Sequence, residues 1–337
     1  MSYHKFVRRR VILGTVLFLL LIVAFSVALL IGASSVNLNG TIFENPIIKN
    51  VRLPRIVTAI FVGASLAVSG AVMQCILKNP LASSFTLGIS QGAAFGAAFA
   101  IIYLGAGVLH RTGESLTILN PYIVPVFAFF GSLISVLVII FLSKIKEMSP
   151  EAMILAGVAM ASFFQASTML MQYFAQSEVL IASVVFWTFG DVARTVWKEI
   201  AIIVVAFTTV FAIFFRRRWD YNALLGGEEV AKTLGVEPKN VRLEGLFLSA
   251  FLTAICVSFT GIIGFVGLVS PHIIRILVGE DYRFLIPLSA IAGALMLLLA
   301  DTFGRIVISP VTIPVGIVTS FVGAPMFVYL LVRGGRE

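Results

Sequence analysis

"GFVGLVSPHIIRILVGE", residues 264–280, decides how many times this chain crosses a membrane. An apolar run at 243–263 precedes it, and another begins at 284. Residues 243–280 together are too long for one crossing and slightly short for two full helices at about 1.5 Å per residue. Gly261, Gly264, Gly267 and Pro271 interrupt the stretch, so the sequence predicts an extended piece and a short helix as the return crossing. Non-helical backbone is tolerated at that depth only where protein or a cavity surrounds it. Ser270-Pro271-His272 reads as a capped helix start, which makes His272 an early helix residue with a structural role.

Composition supports a membrane setting. The chain is 59% apolar and 12% charged, with a mean hydropathy of +1.06; soluble domains carry about 25% charged residues. Spans are predicted at 11–33, 56–77, 86–104, 121–143, 151–173, 195–215, 243–263, 284–306 and 312–332. With the return crossing these make an all-α, polytopic bundle of about ten helices forming one transmembrane domain, 1–337. Lys5 and Arg8 to Arg10 ahead of the first run imitate a signal peptide, but a signal core is only about 7–15 residues long. The run is predicted to be a permanent span.

Ten crossings put both termini on one side. That side collects 17 lysines and arginines, the other 7 (Lys49, Arg52, Arg55, Arg111, Arg194, Lys198 and Arg305). The positive-inside rule then predicts cytoplasmic termini. Cys75 and Cys256 both lie inside apolar runs and the three histidines are far apart, which argues against a disulfide framework or a metal site.

Local signals mark several helix ends. Ser149-Pro150-Glu151 combines an N-cap, a first-turn proline and an acid at the positive end of the dipole. Asn79-Pro80 stops the second span just past Lys78. Gly92 and Gly96, and Ala67 and Ala71, have the small-residue spacing of close helix packing in lipid. "GGEEVAKT" falls one glycine short of a phosphate loop and lacks the strand that such a loop follows. "GISQG", residues 88–92, matches a nucleophile elbow but sits in a membrane helix with no histidine near in sequence. Asp301 lies four residues before Arg305; an ion pair between them is favoured over a proton relay.

The polar island "NALLGGEEVAKTLGVEPKNVR", Asn222 to Arg242, follows the basic run Arg216-Arg217-Arg218. It predicts a short helix over 228–233, a C-cap at Gly235 and a helix restart at Glu237-Pro238. The spans hold almost no acid or base that could bind a coupling ion, so the driving energy is expected from a partner that grips this cytoplasmic loop, 216–242. The alternative is an ion-coupled secondary transporter with inverted repeats, for which Asp301 would be essential.

"NVRLPR" (50–55), "GAVMQCILKNPLA" (70–82), "LGISQGA" (87–93), "GEEVAKTLGV" (227–236), "GFVGLVSPHIIR" (264–275), "LLADTFGR" (298–305) and "PVGIVTSFVGAPMFVYLL" (314–331) together resemble the FecCD-type permease subunits of type II ABC importers, which move iron–siderophore, haem and cobalamin. The resemblance implies a homodimer in the inner membrane of a prokaryote. It implies two ATP-binding cassette subunits that carry ATP and Mg and do the hydrolysis, so that this chain is no enzyme and holds no cofactor. The docking segment for them matches Gly227, Glu228, Glu229, Ala231, Lys232, Leu234, Gly235 and Val236. An extracytoplasmic substrate-binding protein is implied to meet Arg52, Arg55 and Arg305, and no nucleic acid is involved. The fifth helix is implied to line the path, where Met160, Gln165, Ser167, Met169 and Gln172 offer an uncharged polar and thioether surface. The cargo implied is a metal chelate, with iron–siderophore ahead of haem, cobalamin or an oxyanion.

Overall fold

The computed structural model describes residues 3–32, 45–107, 109–112, 115–118 and 121–334. In chain order the helices are α1 Tyr3–Leu30, α2 Leu53–Ile76, α3 Ile89–Leu104, α4 Ile123–Lys144, α5 Pro150–Tyr173, α6 Glu178–Thr188, α7 Trp197–Arg216, α8 Arg218–Leu225, α9 Glu228–Thr233, α10 Pro238–Thr260, α11 Val266–Val278, α12 Tyr282–Ile306 and α13 Val315–Gly334. Seven of them, among the described residues, are long and apolar enough to cross a membrane. A π-turn, Ile48–Arg52, leads into α2, and an antiparallel hairpin pairing Leu109 with Ile118 and Thr112 with Ser115 joins α3 to α4. Most predicted spans agree within two or three residues. The predicted end of the first span at 33 lies outside the described residues.

Burial ranks the helices. The most apolar window of α2 is 83% buried, that of α1 only 11%. Helix α2 is therefore the axis of the bundle, packed by α7, α10, α11 and α12. Lipid tails are as apolar as leucine, so close backbone approach rather than water exclusion holds such helices together. A Cβ on Gly63 of α2 would lie 2.3 Å from the Gly293 carbonyl oxygen of α12, and the reverse distance is also 2.3 Å. Gly92 and Gly96 seat α3 on α4 in the same way, with Gly131 and Phe127 carbonyls at 2.5 and 2.0 Å. Ala67 and Ala71 are fully buried.

The deciding stretch forms an extended piece and then a short helix. Helix α10 ends at Thr260, Gly261 turns with φ +76°, and α11 starts after Phe265, itself left-handed at φ +65°. The expected start at Ser270-Pro271 is corrected: both residues lie inside α11, and Ser270 Oγ reaches Met296 Sδ at 3.4 Å. Pro271 has no N–H for the carbonyl four residues back. That carbonyl, of Gly267, faces Gly70 of α2 so closely that a Cβ there would sit 1.7 Å from it. His272 is half-buried within the helix.

Other cap signals hold. Ser149 Oγ accepts the Ala152 N–H at 3.3 Å, followed by Pro150 and Glu151 in the first turn of α5. Helix α6 was not anticipated. Its 11 residues rise only about 16 Å, too short to cross. A 3₁₀ turn, Val192–Arg194, follows it and returns Arg194, which donates to the Phe186 and Trp187 carbonyls at 2.7 and 3.2 Å. A guanidinium thus closes the last turn of α6, where carbonyls are unpaired and the dipole is negative.

Candidate functional site

The island residues gather at one end of the bundle, with α8 and α9 lying outside the apolar spans. Arg217, in the basic run just ahead of the island, donates to Asp220 at 2.9 Å and Glu244 at 2.8 Å. Hydrogen bonds to those two carboxylates raise its pKa further. Helix α8 is fastened to the head of α12. Asn222 Nδ2 donates to Asp281 Oδ1 at 3.1 Å while Asn222 Oδ1 accepts the Tyr282 N–H at 2.8 Å. Burial pushes the Asp281 carboxyl upward, but hydrogen bonds from Arg283 and Asn222 outweigh it and hold the group below the usual range. Tyr221 and Tyr282, both buried, pack ring to ring at 5.7 Å.

Helix α9 is the predicted one, Glu228–Thr233. Gly227 at φ +102° starts it and Gly235 at φ +79° stops it. The Val236 N–H returns to the Ala231 carbonyl at 2.9 Å and the Gly235 N–H to Lys232 at 3.0 Å, a Schellman closure that only a residue tolerant of the left-handed region allows. Val236 packs into the core and Ala231 is fully buried, so the unit is pinned from below. Glu228, Glu229, Lys232 and Leu234 are exposed. The apolar pair Val230 and Leu234, 46% and 65% exposed, forms an edge with nothing over it among the described residues. The Arg242 guanidinium bonds Glu228 at 2.7 Å and holds its carboxyl below the usual range.

At the far end the three arginines implied to meet the binding protein are turned inward, 4%, 7% and 4% exposed for Arg52, Arg55 and Arg305. Asp301, fully buried, takes two of them: Arg55 Nε at 2.7 Å on Oδ1 and Arg305 Nε at 3.1 Å on Oδ2. Asp191, just past α6, lies 3.7 Å from Arg55. The Asp301–Arg305 pair expected from the spacing is present, with Arg55 as an addition that sequence distance concealed. Arg52 Nη1 donates to the Leu29 and Leu30 carbonyls at 2.7 and 2.8 Å, and Arg305 Nη1 reaches Ala28 and Ile31 at 3.2 and 3.4 Å. Two guanidinia borrowed from other helices therefore cap the C-terminal end of α1. Among the described basic residues at this end, Lys49, Arg194 and Lys198 are exposed.

A hydrogen bond to a charged donor is worth about 1.5–3 kcal/mol, so Arg52→Met is expected to lower the unfolding midpoint and speed amide exchange in the last turn of α1. Exchange as slow as in the parent would show that the cap is dispensable.

A cavity of about 690 Å³ opens between the end of α6, the 261–265 segment and α13. Phe85, Phe189, Phe265 and Phe321 line it with the hydroxyls of Thr188 and Ser320, and no charged side chain among the described residues lines it. None of the five α5 residues expected on the path is on its wall. Gln165 and Met169 are exposed, Ser167 and Gln172 half-exposed, and Met160 leans on the core. The aromatic residues carried no spacing that distinguished them from ordinary core. Cys75 and Cys256 are free and buried, and no cluster of metal-ligating side chains occurs among the described residues.

Comparison with known proteins agrees with this architecture. The model of the FecCD transport family matches residues 13–333. An ABC transporter permease protein of Methanocaldococcus jannaschii is 52% identical over 98% of this chain and 97% of its own length. The haemin transport permease of Yersinia pestis is 35% identical over 97% of each chain, and the molybdate import permease of Haemophilus influenzae is 36% identical over 86% of this chain and 83% of its own. A solved metal-chelate type ABC transporter in an inward-facing conformation superposes with a TM-score of 0.83 at 34% identity, covering 95% of this chain and 98% of that one. The chain thus belongs to the FecCD transport family and carries the fold of a type II ABC importer permease.

Proposed function

We propose that the chain is the membrane-spanning subunit of an ATP-driven importer that brings a metal chelate across the cytoplasmic membrane, working as a homodimer with cytoplasmic termini and two ATPase subunits beneath it. The observation that carries this reading is α9: a closed helical unit pinned to the core, with Val230 and Leu234 left as an apolar edge on its exposed side. Such an edge suits a cleft in a motor subunit. The cavity volume falls within the range of about 300–1,000 Å³ usual for organic ligands, and its uncharged lining suits a metal whose charge is masked by a chelator. Relatives carry ferric citrate, haemin and molybdate by name; a ferric chelate is the cargo proposed here. The external binding protein meets the far end through exposed Lys49 and Lys198, with Arg52, Arg55 and Arg305 adding positive potential from beneath, which steers an acidic partner.

The test is a purified complex in liposomes, supplied with ATP and a radiolabelled ferric chelate. Two copies of this chain with two of an ATP-binding protein are expected by mass. The double variant Leu234→Asp, Gly235→Val is expected to abolish uptake and loosen the ATPase subunit; parental uptake in that variant would overturn the reading. The ion-coupled alternative needs Asp301 to exchange protons, and the grip of Arg55 and Arg305 on both its oxygens weighs against that.

A further inference from the structure

Arg242 stands one turn into α10, is 2% exposed and is the largest of the fully buried side chains among the described residues. A buried guanidinium needs most of its donors occupied. Here Nη2 bonds Glu228 of α9 at 2.7 Å, Nη1 reaches the Met148 carbonyl at 3.5 Å, and Nε has no partner. Met148 belongs to the turn between α4 and α5. In that turn Glu147 and Met148 are both left-handed, at φ +55° and +59°, a conformation that L side chains with a Cβ resist. Two such residues in succession persist only where the surroundings enforce them, and strain of this kind collects at switch elements.

The surroundings here are specific. The Ser143 carbonyl accepts from Met148 N–H at 2.8 Å and Lys146 N–H at 3.1 Å, and Met148 itself is buried. Lys239 of α10 adds an exposed pair to Glu147 at 3.1 Å. Ser149, the next residue, is the N-cap of α5. A chain of three links therefore runs from α9 through Arg242 to the strained turn and into the first residue of α5. The polar links of helix α8 run elsewhere, to the head of α12 through Asn222. The two halves of the island thus lead to different helices.

We infer that Arg242 is the positioning residue through which displacement of α9 reaches α5, with Glu147-Met148 as the element that has two arrangements. This rests on the proposed reading of α9 as the helix moved by the ATPase. When α9 withdraws, Glu228 leaves Arg242, the guanidinium loses its only short bond and the Met148 carbonyl loses its fixed donor. The turn then relaxes toward ordinary backbone and α5 shifts with its cap.

The probe is ATP itself, since no cargo need be known. A reporter cysteine replaces Gln165, an exposed residue of α5; Cys75 and Cys256 are buried and give little background. Its maleimide labelling rate is measured in the purified complex without nucleotide and with ATP, Mg and vanadate. The complex with otherwise native sequence is expected to change its rate on trapping. Arg242→Gln is expected to cut that change about tenfold, within the usual range of coupling between sites, with Arg242→Lys recovering part of it and the ATPase subunit still copurifying. Glu147→Gly keeps the fold, since glycine adopts φ +55° freely and the Glu147 side chain is exposed, yet it relieves the strain of the turn and is expected to cut the response similarly. An undiminished response in both variants overturns the inference alone. A native-sequence complex with no response to nucleotide overturns the reading of α9 and the inference with it.

Discussion

Asp301→Ala is expected to cost the protein about 3–5 kcal/mol, the usual consequence of removing one partner from a buried ion pair. Two guanidinia, Arg55 and Arg305, would be left facing each other with no acid between them except Asp191, 3.7 Å from Arg55 and already a quarter exposed. Total stability of a folded domain is about 5–15 kcal/mol, so the loss is a large share of it. The damage spreads because Arg305 also holds the end of α1. Thermal unfolding in detergent, followed by tryptophan fluorescence, reads the effect. The control is the triple variant Asp301→Ala, Arg55→Met, Arg305→Met, expected to recover much of the midpoint because apolar replacement of a whole buried charge group is often neutral. A single variant as stable as the parent would mean that the charges are solvated in place.

Gly70→Ala is the second large effect, and two magnitudes compete in it. Alanine favours the helix over glycine by about 1 kcal/mol. Against that, its Cβ would lie 1.7 Å from the Gly267 oxygen and 2.5 Å from the Gly267 carbonyl carbon, both backbone atoms that no rotamer change can clear. Helices α2 and α11 must part by more than an ångström, and overpacking of ordinary cores already costs about 1–3 kcal/mol. The variant is expected to be clearly less stable and to expose Gln74, whose amide donates to Leu268 of α11 at 3.3 Å. Gly245→Ala gives the comparison, since its nearest neighbours are side-chain methyls of Ile76 and Val72 at 3.2 Å rather than backbone at 1.7 Å. Equal midpoints for the two variants would show that the α2–α11 approach is looser than drawn.

Legibility followed physical range. Apolar length and local caps are written in consecutive residues, so the long spans, the Ser149 cap and the whole of α9 with its Gly235 closure were readable. Helix α6 was not, because 11 mostly apolar residues satisfy neither the length of a span nor the polarity of a loop. Ser270-Pro271 misled because the cap signature is local, whereas the helix starts earlier to bring Gly267 against Gly70. The far-end arginines were legible as charges and illegible as caps. Their partners are the carbonyls of α1, which carry no side-chain signature, and an aspartate 246 positions away from Arg55. Arg242 showed only as one more base on the inner side, since its burial depends on three segments meeting.

That separation also bears on how the chain is made. Helix α1, the most apolar span at a mean hydropathy of 2.9, can enter lipid as soon as it leaves the ribosome. The segment leading into α2 brings Arg52 and Arg55, and a charge placed at depth in a bilayer is costly without company. The buried acid that pairs most closely with Arg55, Asp301, is synthesised only near the end of translation. Arg52 can close the last turn of α1 as soon as both are made, through the Leu29 and Leu30 carbonyls, whereas Asp301 and the second cap, Arg305, arrive only with α12. The head of the central helix is therefore completed by one of the last spans to be made.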